Sequence, residues 1–254
     1  MELKRDLARR NQRRMKLEIK SLRVRLNGKD VLKDITLSLD SGLTVIIGEN
    51  SSGKTTLLKT MAGLVKPSAG EVLVDGKSIH QLHARERARL IGYCWQNPYH
   101  GFFEENVKRE IEFILKNTGV NGRKDYVEIL GVEKLFNKNP FKLSGGEARR
   151  VSIASVVVAD QPIVLMDEPF NDMDLDGYRS LRKLVEIFKK EKKVIVIALN
   201  NAMMMESLSP DLIVLLRGGN VVKVGKPGEI GEKEFEENNI VTRRALIESP
   251  ESNY

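Results

Sequence analysis

Val45-Ile46-Ile47-Gly48-Glu49-Asn50-Ser51-Ser52-Gly53-Lys54-Thr55-Thr56 decides the architecture, because an apolar run leads straight into a glycine loop and then into a helix-forming stretch. An uninterrupted apolar run of this kind marks a strand buried on both faces, as in a parallel sheet. The GxxxxGKT spacing turns backbone N–H groups inward at a helix N-terminus, which makes a concave anion nest. Gly48, Asn50, Ser51, Ser52, Gly53 and Thr56 are therefore candidate phosphate-binding positions. Lys54 is expected to reach the β- and γ-phosphates of a nucleotide, and the Thr55 hydroxyl to bind Mg²⁺. The plain alternative, a glycine turn joining strand to helix, is set aside because the full motif sits between a strand and a helix. Alone, the loop admits GTPases, kinases, helicases and many ATPases.

Working outward, a second apolar strand, Ile163 to Met166, ends in Asp167-Glu168. Both carboxylates then stand at the C-terminal edge of the sheet, where α/β proteins bind ligands. Asp167 is expected to complete the Mg²⁺ shell and Glu168 to take a proton from an attacking water. A third such run, Val194 to Leu199, follows after a helical stretch from about Gly177 to Glu191. Upstream, Leu17 to Asp40 alternates with period two around an Asn27-Gly28 turn, which predicts antiparallel strands. Residues 97–159 change character: Asn106 to Lys116, Asp125 to Leu130 and Glu147 to Ala159 carry helical spacing, broken by Gly131 and Asn139-Pro140. The expected fold is α/β: a P-loop core with a mixed, largely parallel sheet, an N-terminal antiparallel β subdomain and an inserted α-helical lobe. A hairpin about Gly218-Gly219-Asn220 comes next, and a polar tail, 230–254, is expected to end in a short helix around Thr242 to Glu248.

Composition sets limits around this core. The chain has 254 residues, 41% of them hydrophobic, enough for one large domain over residues 15–254. The longest apolar run is Val194 to Leu199, far short of the roughly 20 residues of a membrane-spanning helix. No secretory signal is expected. Cys94 has no cysteine partner and lies in the apolar run Leu90 to Trp95, so a buried strand thiol is expected. Part of the net charge of +7 is local, on Lys4, Arg5, Arg9, Arg10, Arg13 and Arg14 in residues 1–14. Met15 reads like the start of the first strand, which makes this basic extension an upstream-start artefact or a flexible arm. A juxtamembrane arm attracted to anionic lipid is the second reading. Nucleic-acid binding comes last, since no aromatics interleave the charges. His80, His83 and His100 show no metal-ligand spacing, and at least two of Met203, Met204 and Met205 are expected to pack.

Leu143-Ser144-Gly145-Gly146-Glu147, opening the helix to Ala159, brings in a family. With the phosphate loop and Asp167-Glu168 in this order, the chain resembles an ATP-binding-cassette ATPase from Leu17 to Gly225. The resemblance implies that Ser144, Gly145, Gly146 and Glu147 serve ATP held by a second cassette subunit. It further implies that Gln96, after Tyr93-Cys94-Trp95, senses Mg²⁺ and the attacking water. Asp174 matches the aspartate of the loop that runs across the dimer, although Asn171-Asp172-Met173 before it is unusual. Ser144 also reads locally as a helix N-cap.

Two positions depart from the family pattern. Asn200 stands where the family places a histidine on the γ-phosphate, and an amide donates a hydrogen bond but shuttles no proton. Slow hydrolysis at this chain's own phosphate loop is the expectation. Leu26 stands where an aromatic residue stacks on adenine.

The stretch from Gln96 through Asn97-Pro98 to Glu112-Phe113 resembles the cobalt and energy-coupling-factor importers. That likeness implies a peripheral motor on the cytoplasmic face of the membrane, with ATP and Mg²⁺ as cofactors. It also implies a second ATPase subunit, identical or different, separate transmembrane subunits and no nucleic acid. The competing classes are a repair or translation cassette, and a degenerate regulatory subunit that binds ATP without cleaving it.

Overall fold

Leu17, Ile19, Leu22 and Val24 are all fully buried on one strand, β1 (Leu17–Leu26), although their spacing is not uniform. Its register with β2 (Lys29–Leu39) shifts between Ile19 and Leu22, where Ser21 adopts a left-handed φ of 44°. The bulge absorbs a residue and keeps the apolar side chains on one face. That is why the sequence reads as two short pieces while the chain runs as a single strand. β4 (Ala69–Val74) pairs with the other side of β1, and β5 (Lys77–Ser78) follows it, giving an antiparallel sheet of order β2-β1-β4-β5. This computed structural model describes residues 15–242. The basic arm, and all but the first residue of the helix expected from Thr242 to Glu248, lie outside them.

The second sheet holds β3 (Gly42–Ile47), β6 (Ile91–Cys94), β7 (Ile163–Asp167), β8 (Val194–Leu199), β9 (Leu212–Arg217) and β10 (Asn220–Gly225). Its order is β10-β9-β3-β8-β7-β6, parallel throughout except for the antiparallel β9–β10 hairpin. The central strands are almost wholly apolar, Thr44 and Asp167 excepted, because both faces are covered, by different layers. Val45, Ile47, Val164, Met166, Ile195 and Ile197 point into a core shared with the helices, while Ile46, Ile163, Leu165, Val194 and Val196 point into one shared with the antiparallel sheet. The α/β expectation, including the antiparallel N-terminal sheet, holds.

The helix after the phosphate loop, α1 (Lys54–Met61), starts at the lysine itself and drives Leu57, Leu58 and Met61 into the core between the sheets. α2 (Ala84–Leu90), with no buried residue, is absent from the sequence expectations because its stretch has no apolar face. The Glu86 carboxylate accepts the His83 N–H at 3.0 Å and so closes its first turn. Between β6 and β7 come α3 (Val107–Thr118), α4 (Lys124–Ile129) and α5 (Gly145–Val157), close to the expected helices. α6 (Leu175–Lys190) joins β7 to β8, and α7 (Ala202–Glu206) buries Met205 and packs the half-buried Met204, leaving Met203 exposed. α8 (Glu232–Glu237) was not anticipated in the tail.

Parallel pairing fixes where the site lies. The C-terminal ends of β3, β8, β7 and β6 reach one edge of the sheet, which delivers Gly48, Asn200, Glu168 and Gln96 to the same end of the molecule.

Candidate active site

The phosphate loop is braced from both sides. Ser52 C=O accepts the Gly219 N–H at 2.9 Å, tying the loop to the β9–β10 turn. Gly53 takes a φ of 108°, a conformation that a residue with a Cβ rarely adopts, and hands the chain to α1. Lys54 points back over the loop, donating to Gly48 C=O and Glu49 C=O, both at 2.8 Å. Its ammonium is 4.0 Å from Glu168 Oε1. Burial pulls the lysine below its ordinary range, and the charges of Glu168 and Asp167 push back. Two loop carbonyls thus hold a desolvated cation, and a phosphate would satisfy it better.

Asp167 ends β7 fully buried. Its Oδ2 accepts the Tyr93 hydroxyl at 3.2 Å, and the Thr55 side chain acts on the same carboxyl to lower its pKa. Oδ1 is buried without a partner. Burial raises this carboxyl above its usual range, against the opposing effect of Thr55 and Tyr93. A buried, incompletely satisfied carboxylate beside a threonine hydroxyl suits a hard divalent cation such as Mg²⁺. Ser52 Oγ is likewise buried and unpartnered. Tyr93 pushes its own phenol far up through burial and Asp167, so it stays a neutral donor.

Glu168 follows with a left-handed φ of 46°, backbone strain of the kind that collects at functional sites. Its Oε2 receives three amides: Asn171 at 2.8 Å, Gln96 at 3.2 Å and Asn200 at 3.4 Å. Asn200 also accepts the Asn201 side-chain amide at 3.1 Å. A cavity of about 590 Å³ is lined by Asn50, Ser51, Gly53, Lys54, Thr55, Thr56, Gln96, Glu168 and Asn200, together with Val31. The structure therefore brings together the loop, the carboxylate and both amides expected from the sequence. Leu26 does not line this cavity and is 40% exposed, whereas Val31 of β2 does line it.

The signature residues lie elsewhere. Ser144 Oγ accepts the Glu147 N–H at 3.3 Å, and the Glu147 carboxylate accepts the Ser144 N–H at 3.1 Å, a reciprocal cap on α5. Lys138, 2.9 Å away, and the Ser144 N–H hold the Glu147 carboxyl below its usual range. Ser144 and Gly145 are exposed, and Gly146 and Glu147 are half-buried. None of the four lines the phosphate-loop cavity. Asp174 caps α6 by accepting the Gly177 N–H at 2.7 Å, 3.5 Å from Arg150, and also stands outside that cavity.

Three contributors were not singled out in the sequence. Tyr93 could have been: a phenol in an otherwise apolar buried strand needs a polar partner. Asn171 had no signal beyond its unusual place in the loop before Asp174. Arg149, 2% exposed, donates to Trp95 C=O at 2.9 Å and to Asn171 C=O at 3.3 Å, and no local pattern reveals such cross-chain reach.

A family model described as ABC transporter matches residues 32–171. A Pyrococcus furiosus protein named provisionally as an ABC transporter ATP-binding protein is 36% identical over 230 residues, spanning 88% of this chain and 85% of that one. The energy-coupling factor transporter ATP-binding protein EcfA1 of Thermotoga maritima is 31% identical over 230 residues, spanning 88% and 86%. Among solved structures, cbiO1 of Clostridium perfringens, part of the ABC transporter complex cbiONQ, superimposes with a TM-score of 0.71 at 28% identity. The superposition covers 92% of this chain and 95% of that one.

Proposed function

Because this chain belongs to the ABC transporter family of ATPases, we propose that it is the ATP-hydrolysing motor of an energy-coupling-factor or cobalt-type importer. In this reading, residues 15–254 form one nucleotide-binding unit. It pairs with a second cassette so that two ATP molecules are clamped between them. The pair sits on the cytoplasmic face of the membrane and drives separate transmembrane subunits. One observation carries the proposal: the phosphate loop, Gln96, Glu168 and Asn200 share a cavity, while Ser144 and Gly145 are exposed outside it. A signature placed there can complete only another subunit's site.

The exposed aromatic surface beside Gln96 supports the transport reading. Phe103 and Phe113 pack edge to face with centroids 4.3 Å apart while 56% and 38% exposed, and Phe141 is 54% exposed. Apolar surface of this kind, on residues that follow the Gln96 loop in the chain, suits a helix of a membrane subunit. No helix among the described residues is long and apolar enough to span a membrane.

Chemically, Lys54 and the loop N–H groups hold the β- and γ-phosphates, and Glu168 receives the proton of the attacking water. Asp167, Thr55 and Gln96 would hold Mg²⁺, which neutralises phosphate charge when bound. Asn200 donates a hydrogen bond but cannot carry a proton, so this chain's own site turns over slowly. The test is ATPase turnover of the chain alone and mixed with a candidate second cassette. Activity that appears only in the mixture, and survives loss of this chain's Lys54 but not of Ser144, supports the proposal. Stimulation by nucleic acid without any membrane partner would overturn it. Asn200→Ala is expected to slow turnover about tenfold or less.

A further inference from the structure

The two oxygens of Glu168 have unequal surroundings. Oε2 takes the amides of Asn171, Gln96 and Asn200, whereas Oε1 carries no hydrogen bond among the described residues and lies 4.0 Å from Lys54 Nζ. Gln96 and Asn200 line the phosphate cavity, where a nucleotide competes for their amides. Asn171 does not line it. It faces the neighbouring cleft, with Gln96, Gly145, Arg149 and Asp172. Its contact to Oε2 is also the shortest of the three, at 2.8 Å.

From this asymmetry we infer that Asn171 is the positioning residue that anchors Glu168 Oε2, leaving Oε1 as the oxygen that accepts the proton of the attacking water. The inference rests on Glu168 being the base, as proposed above. In the step it serves, the water oxygen bonds to the γ-phosphorus as the bond to the β–γ bridging oxygen breaks. ADP leaves with that electron pair, and the water proton passes to Oε1.

The loop carrying Asn171 is itself held. Its carbonyl accepts Arg149 from α5, a guanidinium that also grips Trp95 C=O directly before Gln96 and lies 3.7 Å from Asp172. A Cβ on Gly146 would come within 3.1 Å of Asp172 O, so the signature glycines pack against the same loop. Asn171 thus connects the surface that meets a partner's ATP with the carboxylate acting on this chain's own. The other charged groups around Glu168 are Lys54, Asp167 and Arg149.

The experiment compares Asn171→Ala, the near-isosteric Asn171→Asp and Glu168→Gln in an assembly whose second cassette carries a disabling lysine substitution in its own phosphate loop, so that kcat and KM report this chain's site alone, with nucleotide binding as the fold check. Asn171→Ala is expected to lower kcat about tenfold with KM within about twofold, because the lost contact orients the base and does not touch ATP. Asn171→Asp replaces the amide donor with a like charge beside Glu168 and is expected to lower kcat at least as far, again with KM within about twofold. Unchanged kcat in both Asn171 variants, with turnover abolished in Glu168→Gln, would overturn the anchor and leave the base standing. Near-normal turnover in Glu168→Gln would instead remove the base, and the anchor with it.

Discussion

The phosphate-loop edge and the signature turn are both helix N-termini with glycines and hydroxyls, yet the fold treats them oppositely. Around α1, four parallel strands deliver side chains from distant parts of the chain into one cavity, and Lys54 and Glu168 are almost wholly buried. Around α5, the signature satisfies itself through the Ser144–Glu147 box and leaves Ser144 and Gly145 facing outward. The first region is a nearly complete phosphate site and the second, under the proposal above, is a fragment of one. An exposed turn whose side chains already cap their own helix gains a ligand role only when another surface closes over it.

This contrast can be broken most directly by separating binding from turnover. Lys54→Ala should weaken ATP binding by the isolated chain about a hundredfold, while Ser144→Arg should change it less than about twofold yet lower turnover of the assembled ATPase about a hundredfold. Equal binding defects in both, measured by titration with a fluorescent ATP analogue, would mean that the two regions serve one intramolecular site.

A smaller effect is expected at the strut between them. Arg149→Met removes the buried guanidinium that donates to Trp95 C=O and Asn171 C=O in part-buried contacts. It should cost about 1–3 kcal/mol in urea unfolding, with a larger loss of kcat than of ATP affinity. A variant as stable and active as the parent would show that the regions are held independently.

Smallest is the behaviour of Cys94, directly behind Trp95 and Gln96. Burial pushes its thiol up to about 12, so the thiolate is scarce at neutral pH. A disulfide-exchange reagent at pH 8 should label it only in denaturant. Rapid labelling of the native chain would mean that the Gln96 side of the site opens readily.

How far the sequence could be read depends on whether neighbours in space are neighbours in the chain. The GxxxxGKT loop, Asp167-Glu168 and the Ser144–Glu147 box are local patterns whose geometry follows from a strand end or a helix start, and each lies where its motif implies. The bulge at Ser21 and the apolar-faceless α2 escaped, since one hides the period of a strand and the other has no period to show. Asn171, Tyr93 and Arg149 act across 3, 74 and 54 residues of sequence separation. Only the last two are long-range, yet Asn171 was just as hidden, because its reach to Glu168 depends on the left-handed turn at Glu168.

By itself, the sequence determined the class of this protein: an α/β phosphate-loop ATPase of the ABC transporter family, with a signature turn at the start of a second helix. Those features are written in spacing, and spacing along a strand or helix survives folding unchanged. Which carboxylate oxygen is occupied, which amides converge on it and which glycines face outward were decided by tertiary structure alone. They depend on the parallel order of β3, β8, β7 and β6, whose common edge sets the distances between residues the sequence keeps far apart.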